Sequence, residues 1–212
     1  YDVYHTVKRN YGVGHVRGQV YEAIPLMDYL YACSDILSYD YEIYDIGKLQ
    51  EAIVPERDTL LTHLGVDTLK ARYLLQKNDK IMELPQHMFM SLAMFLAQNE
   101  YDPMYWAVKF YDMMSLLEAE MATPTLANGR KLKGNCMSCA VGSTPDTIEG
   151  IFDAFKEQAI GSKHGTGFGW DWTRVRALGG TIQDTKNAAG GLVPWMKIEN
   201  DIAIAVDQLG EH

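Results

Sequence analysis

Three cysteines stand in the 212-residue sequence, and two of them, Cys136 and Cys139, are spaced C-x-x-C. That spacing suits redox chemistry between two thiols, and it equally suits a pair of small residues packed at a strand edge. It does not complete a zinc site, which usually needs four ligands; Cys33 is distant and the histidines form no H-x₃-H partner motif. Downstream, Gly165, Gly167 and Gly169 alternate in KHGTGFGW, where glycine either lets a backbone approach a ligand or serves a tight turn. Arg174 and Arg176 follow, two residues apart on one face of an expected strand. Paired guanidinium forks match phosphate oxygens, although a solvated strand face carries the same residues. Asp146 sits where a helix's first turn is expected, a place the helix dipole favours for acids in any case. The Met and aromatic residues at 88–114 read as core packing.

The elements that must hold these groups have two textures. Residues 20–125 read mainly as helices: an apolar segment from Ile24 to Leu37, a short helix from Pro55 to Gly65, and another from Thr68 to Gln76 followed by a turn at Asn78-Asp79-Lys80. A strongly apolar helix starts at Pro85, and another at Pro103 with Asp102 as its N-cap. From about Ala122, strand-like and helical stretches alternate. Ser138–Val141 reads as a strand, STPDTIEGIFDAFKEQAIGS as a helix, GTGFGWDWTRVR as a strand, GGTIQDTKNAAGG as a loop, and the segment from Pro194 as a helix. This is the pattern of an α/β fold, and it divides the chain into a helical region over 1–121 and an α/β part over 122–212.

Composition narrows the function classes. A net charge of -9 gives no general attraction for nucleic acid or anionic lipid, while leaving room for a local basic pocket. No apolar run is long enough to span a bilayer, and the first residues lack the apolar core of a signal peptide. An odd cysteine count argues for a reducing compartment, the cytoplasm, with any disulfide serving chemistry rather than structure.

The segments ATPTLANGR, the C-x-x-C stretch, GTGFGW and TRVRALG, in this order, resemble the large (catalytic, alpha) subunit of ribonucleotide reductases. EAIVPERD, ARYLLQ and KFYDMMS resemble that family's helical region, and the spacing from Thr123 to Gly210 matches the aerobic class I pattern without a gap. The resemblance implies an α/β fold in which helices precede a ten-stranded barrel, whose first part lies here. It implies reduction of the 2′-hydroxyl of ribonucleoside diphosphates by a thiyl radical and a reducing cysteine pair. Cys139 falls on the first cysteine of that pair, and Cys136 reads as incidental. Thr123, Ser138, Thr166 and Gly167 fall on substrate-contact positions. Asp146 falls on the acid that binds the ribose of an allosteric effector, a deoxynucleoside triphosphate or ATP, and Arg176 on a ligand of its phosphates. No metal site is implied.

Partners follow from the same resemblance. Helices 146–162 and 194–208 match those of a homodimer. A small radical-generating subunit would act with this one, or adenosylcobalamin in class II enzymes, and thioredoxin or glutaredoxin would renew the dithiol. The radical cysteine and the second reducing cysteine would lie downstream, so the chain is expected to be inactive alone. No ATP cone is evident upstream. Glu211 is atypical and His212 stands where an Arg is expected, in the loop that relays effector identity in the family; the abrupt stop within this loop suggests a large subunit split here, by a gene interruption or an intein, with a complementary C-terminal part supplied separately, the alternative being a truncation. The competing expectation is a nucleotide-binding and dimerising module without chemistry.

Overall fold

The computed structural model describes residues 2–13, 20–38 and 41–206, and the chain divides into two compact units, Tyr1–Cys136 and Met137–His212. Glu211 and His212 lie outside the described residues, as do the last residues of the expected helix 194–208. Among the described residues no helix is long and apolar enough to cross a membrane.

The first unit is helical: α1 (Asp2–Asn10), α2 (Val20–Ala23), α3 (Leu26–Ala32), α4 (Ile46–Ala52), α5 (His63–Thr68), the hairpin β1 (Gln76–Lys77) and β2 (Lys80–Ile81), then α6 (Pro85–Ala97), α7 (Pro103–Ser115) and α8 (Thr123–Asn128). Short polar side chains start several of these. Asp45, Thr62 and Asp102 each accept a hydrogen bond from the backbone amide three residues on, satisfying a donor that the first helical turn leaves unpaired. α6 opens on Pro85 and is apolar on all sides, so it lies inside the unit, packed chiefly on α7. The expected turn between β1 and β2 forms at Asn78 and Asp79, both with positive φ, as a two-residue hairpin requires.

Three helices expected from the sequence are cut differently. The segment from Ile24 breaks at Pro25, whose extended backbone separates α2 from α3. The helix expected from Pro55 to Gly65 is instead a 3₁₀ turn, Pro55–Leu60, followed by a restart at α5. Thr62 caps α5 through the Gly65 amide, so Gly65 sits inside a helix rather than ending one. Nor is there a separate helix from Thr68 to Gln76: α5 ends at Thr68 and continues into a π-helical turn, Leu69–Tyr73, and Gln76 already belongs to β1. The segment after Ala122, grouped by sequence with the α/β part, makes its contacts in the helical unit. Leu126 joins that unit's core, and Leu132 N and Ser38 N donate to the Ile36 and Arg130 carbonyls at 2.7 and 3.0 Å.

A fully buried ion pair and a fully buried histidine lie in this core. Arg130 and Glu83 form an ion pair at 0% exposure, with Nε to Oε1 at 2.9 Å and Nη2 to Oε2 at 2.5 Å. The guanidinium also donates to the Leu126 and Tyr73 carbonyls at 2.6 and 2.9 Å. Glu83 accepts further bonds from the Leu75 amide at 2.8 Å, from Ser91 and from the Tyr29 hydroxyl. His87 is equally buried. Its ring stacks on Tyr29 at 5.1 Å and meets Tyr21 edge-on at 5.0 Å, and its nitrogens find no hydrogen-bond partner among the described residues. Burial holds the imidazole neutral, pushing its pKa down to about 3.

The second unit is built on a parallel pair, β3 (Cys139–Ser143) and β4 (Gly167–Asp171), joined through α9 (Ile148–Lys163) and followed by α10 (Val193–Ala205). Ile151, Phe155, Trp172 and Val175 form its core, with Trp195 and Ile202 against them. α9 starts later than the sequence suggested: Thr147 is its cap, accepting from the Gly150 amide at 3.1 Å. β4 also stops short. At Asp171 the carboxylate turns back to accept from the Thr173 amide at 2.9 Å, and residues 173–175 form a turn. Arg174 and Arg176 therefore follow the strand and do not share a strand face.

Two outcomes are expected from the first unit. Glu83→Gln should cost about 3–5 kcal/mol in denaturant unfolding, because it strands a buried guanidinium, while Glu83→Leu combined with Arg130→Met should cost less. His87 binds its proton far more readily in the unfolded chain than in the folded one. Its contribution is therefore complete above about pH 6.5 and is lost as pH falls towards about 3. In acid unfolding followed by circular dichroism, His87→Phe should flatten the pH dependence across that window.

Candidate functional site

The heads of β3 and β4 bring four of the expected residues together. Cys139 pairs with Gly167, and the Gly167 amide donates to the Ser138 carbonyl at 2.9 Å. Thr166 is buried, its hydroxyl donating to the Met137 carbonyl at 3.2 Å, so this side chain pins the entry to β3. The Cys139 thiol is exposed, with Sγ 3.4 Å from Ser138 Oγ. α9 closes through Gly165 at φ +81, a conformation that suits glycine, and delivers the chain into β4.

The glycines of this unit divide by what surrounds them. A Cβ on Gly142 or Gly161 would run into the Trp170 or Phe168 ring, at 2.0 and 2.1 Å, so packing alone demands glycine there. At Gly167 the nearest atom would be the Ser138 carbonyl oxygen at 3.8 Å. Packing does not demand glycine at 167, and the backbone opposite Cys139 is open to close approach.

The other cysteines are placed differently. Cys33 is completely buried in the helical core, and burial pushes its thiol up to about 12. Cys136 is half-buried, with its thiol pKa raised by burial, and its carbonyl accepts from the Thr125 hydroxyl at 3.1 Å. Cys139 is the exposed thiol of the three.

At the far ends of the same strands lies a second cluster. Asp146 follows β3 and Arg176 follows the turn after β4, and the two side chains join: Nε lies 3.0 and 2.8 Å from the carboxylate oxygens. The Arg176 amide adds a bond to Oδ1 at 3.2 Å, and Nη1 donates to the Thr181 carbonyl at 2.8 Å, tying in the Gly-rich loop. A cavity of about 260 Å³ opens beside this pair, lined by Thr147, Ile148, Ile151, Val175, Ile182 and Trp195 among others. One guanidinium, one carboxylate and an apolar wall can hold an anionic ligand with a flat or apolar body. Arg174 is exposed and takes no part in the pair.

Thr123 belongs to the helical unit. It is the first residue of α8, exposed, with Oγ1 3.3 Å from the Tyr73 hydroxyl. Among the described residues no cluster of His, Cys, Asp and Glu is arranged to hold a metal ion.

Comparison with known proteins agrees with this arrangement of a helical unit followed by an α/β unit. The family model for the ribonucleotide reductase all-alpha domain matches residues 59–134, and that for the ribonucleotide reductase barrel domain matches residues 137–212. The chain belongs to the ribonucleotide reductase large-subunit family. The ribonucleoside-diphosphate reductase subunit alpha of Helicobacter pylori is 49% identical over 211 residues, 99% of this chain and 26% of its own length. The Treponema pallidum subunit alpha is 39% identical over 79% of this chain and 20% of its own. The large subunit of Variola virus is 36% identical over 77% of this chain and 21% of its own. The chain thus spans about a quarter of the length of the first of these reductase subunits and about a fifth of the others.

Some contributors to these sites escaped the sequence reading. Trp195 lines the cavity beside Asp146 and Arg176, and the Thr181 carbonyl anchors the guanidinium. The Pro194-Trp195 start of α10 signals a helix without saying which cavity its first turn faces, and a carbonyl leaves no trace in residue type. Arg176→Ala should free the loop at 177–191 and speed tryptic cleavage at the exposed Lys186 by about five-fold, the effect of losing partly exposed charge-assisted bonds. Time-resolved peptide mapping checks this.

Proposed function

We propose that this chain supplies one reducing cysteine, part of the substrate pocket and the effector site of a ribonucleoside-diphosphate reductase. The observation that carries the reading is an exposed thiol, Cys139, at the head of a strand, opposite an open Gly167 backbone and beside the Ser138 hydroxyl. A thiol that must meet both substrate and a second thiol needs such access. In the reaction the ribose 2′-hydroxyl leaves as water and hydrogen takes its place. Cys139 and a second thiol give up two electrons and two protons and become a disulfide. The thiyl radical that starts the sequence would come from a cysteine elsewhere in the subunit, and its generator from a partner subunit or, in another class, adenosylcobalamin. Thioredoxin or glutaredoxin would return the disulfide to the dithiol.

In this reading Ser138 and the Gly167 backbone are substrate contacts contributed by the second unit, Thr123 is a substrate contact contributed by the helical unit, and Thr166 fixes the strand entry that presents Cys139. Asp146 takes the ribose hydroxyls of a deoxynucleoside triphosphate or ATP, and Arg176 its phosphates. The exposed apolar side chains of the second unit, among them Val141, Phe152, Ile160, Val193, Met196 and Ile204, would be covered by the remainder of a barrel and by a second subunit packed on α9 and α10.

The test uses the chain completed by the rest of a large subunit and a radical source, with deoxyribonucleotide formation as the readout. Cys139→Ser should abolish turnover, while Cys136→Ser should leave it unchanged. Normal turnover of the Cys139 variant would refute the assignment and leave a nucleotide-binding module without chemistry. Asp146→Asn should weaken effector binding about ten-fold in equilibrium dialysis, the scale of one charge-assisted hydrogen bond.

A further inference from the structure

We infer that Tyr73 is a positioning residue for the substrate, acting by holding the Thr123 hydroxyl in one orientation; this rests on the proposed placement of Thr123 in the substrate pocket. The geometry lies wholly within the helical unit. Tyr73 closes the π-helical turn Leu69–Tyr73, and its hydroxyl stands 3.3 Å from Thr123 Oγ1. Thr123 is the first residue of α8, after the N-cap at Ala122, so its side chain is not spent on capping.

A surface contact between two hydroxyls would carry little if either side chain could drift. Here both backbones are clamped by one group. The buried Arg130 guanidinium donates to the Tyr73 carbonyl at 2.9 Å and to the Leu126 carbonyl, one turn along α8 from Thr123, at 2.6 Å. Glu83 holds the guanidinium in turn from the core. The π-turn also has a function to explain it: such irregular turns are uncommon and concentrate where a side chain must be aimed. It ends on the residue whose hydroxyl meets Thr123, with the Leu74 amide closing it onto the Leu69 carbonyl at 2.8 Å.

The chemistry follows from what a hydroxyl can do. Thr123 Oγ has one proton and two lone pairs. With Tyr73 donating, the threonine proton is directed to an acceptor such as a ribose or phosphate oxygen. With Tyr73 accepting, the lone pairs face a donor such as a ribose hydroxyl. Either way the free threonine rotor, which would otherwise sample three wells, is restricted before a ribonucleoside diphosphate arrives, and binding need not order it.

Tyr73→Phe keeps the ring and removes only the hydroxyl. In the completed large subunit it should raise KM for the ribonucleoside diphosphate about five-fold, the scale of one neutral hydrogen bond, with kcat and the melting temperature unchanged. Thr123→Val should raise KM similarly, and the double variant should be no worse than Thr123→Val alone, because the tyrosine acts through the threonine. An unchanged KM in Tyr73→Phe, with KM raised in Thr123→Val, would overturn the inference while leaving the proposed function standing. An unchanged KM in Thr123→Val would remove the pocket assignment and the inference together. Additive effects in the double variant, or a fall in kcat with a lowered melting temperature, would make Tyr73 a packing residue and nothing more.

Discussion

The helical unit turns on one buried ion pair. Arg130 and Glu83 are both removed from water, and a desolvated charge is tolerated only where a counter-charge and further hydrogen bonds replace the lost hydration. The structure meets that condition with groups from separate parts of the chain: two backbone carbonyls on the guanidinium, and an amide, a serine and a tyrosine on the carboxylate. Each of these is thereby fixed relative to the others. Such a pair contributes little net stability compared with apolar residues of equal size, but it tolerates few alternative arrangements, since most would leave a charge unpaired. The π-turn at 69–73, the hairpin that follows it, α6 and α8 are all arranged around it.

Local chemistry made many of these elements legible from sequence. Asp102 before Pro103 announced α7, Pro85 announced α6, and Asn78-Asp79-Lys80 announced a turn, because each acts through the backbone within a few residues. The misread boundaries have equally local causes. Thr62 captured the Gly65 amide and restarted a helix where Gly65 was read as a stop, and Asp171 captured the Thr173 amide and ended a strand read as running on to Arg176. Short polar side chains compete for backbone donors, and which residue wins depends on packing that apolar periodicity does not record. The ion pair itself was not legible: Glu83 and Arg130 are 47 positions apart, and nothing nearby marks either as buried.

The candidate sites divide in the same way. The resemblance in ordered motifs pointed to Cys139, Asp146 and Arg176, and the structure places the last two in direct contact. Cys139 and Gly167, 28 positions apart by number, are partners across a parallel pair, a relation that only strand register reveals. Tyr73 carries no mark in the sequence, because it lies in a helical stretch rich in ordinary core residues, where a tyrosine has no distinguishing neighbour.

The two clusters of the second unit make different demands on one sheet. β3 and β4 are parallel, so both strands start at the Cys139 end and both finish at the Asp146–Arg176 end. At the starting end the Cys139 thiol is exposed and uncrowded, with glycine opposite it and a buried threonine fixing the strand entry. At the finishing end the sheet must hold opposite charges near an apolar cavity. The Asp146–Arg176 pair is about one-third exposed on each side, so separating it costs on the order of 1 kcal/mol or less. A phosphate offered to the guanidinium, with a hydroxyl offered to the carboxylate, would more than replace that loss. In the proposed effector site the pair would keep both groups placed and yield to a ligand at small cost, a combination that a fully buried pair such as Glu83–Arg130 does not offer.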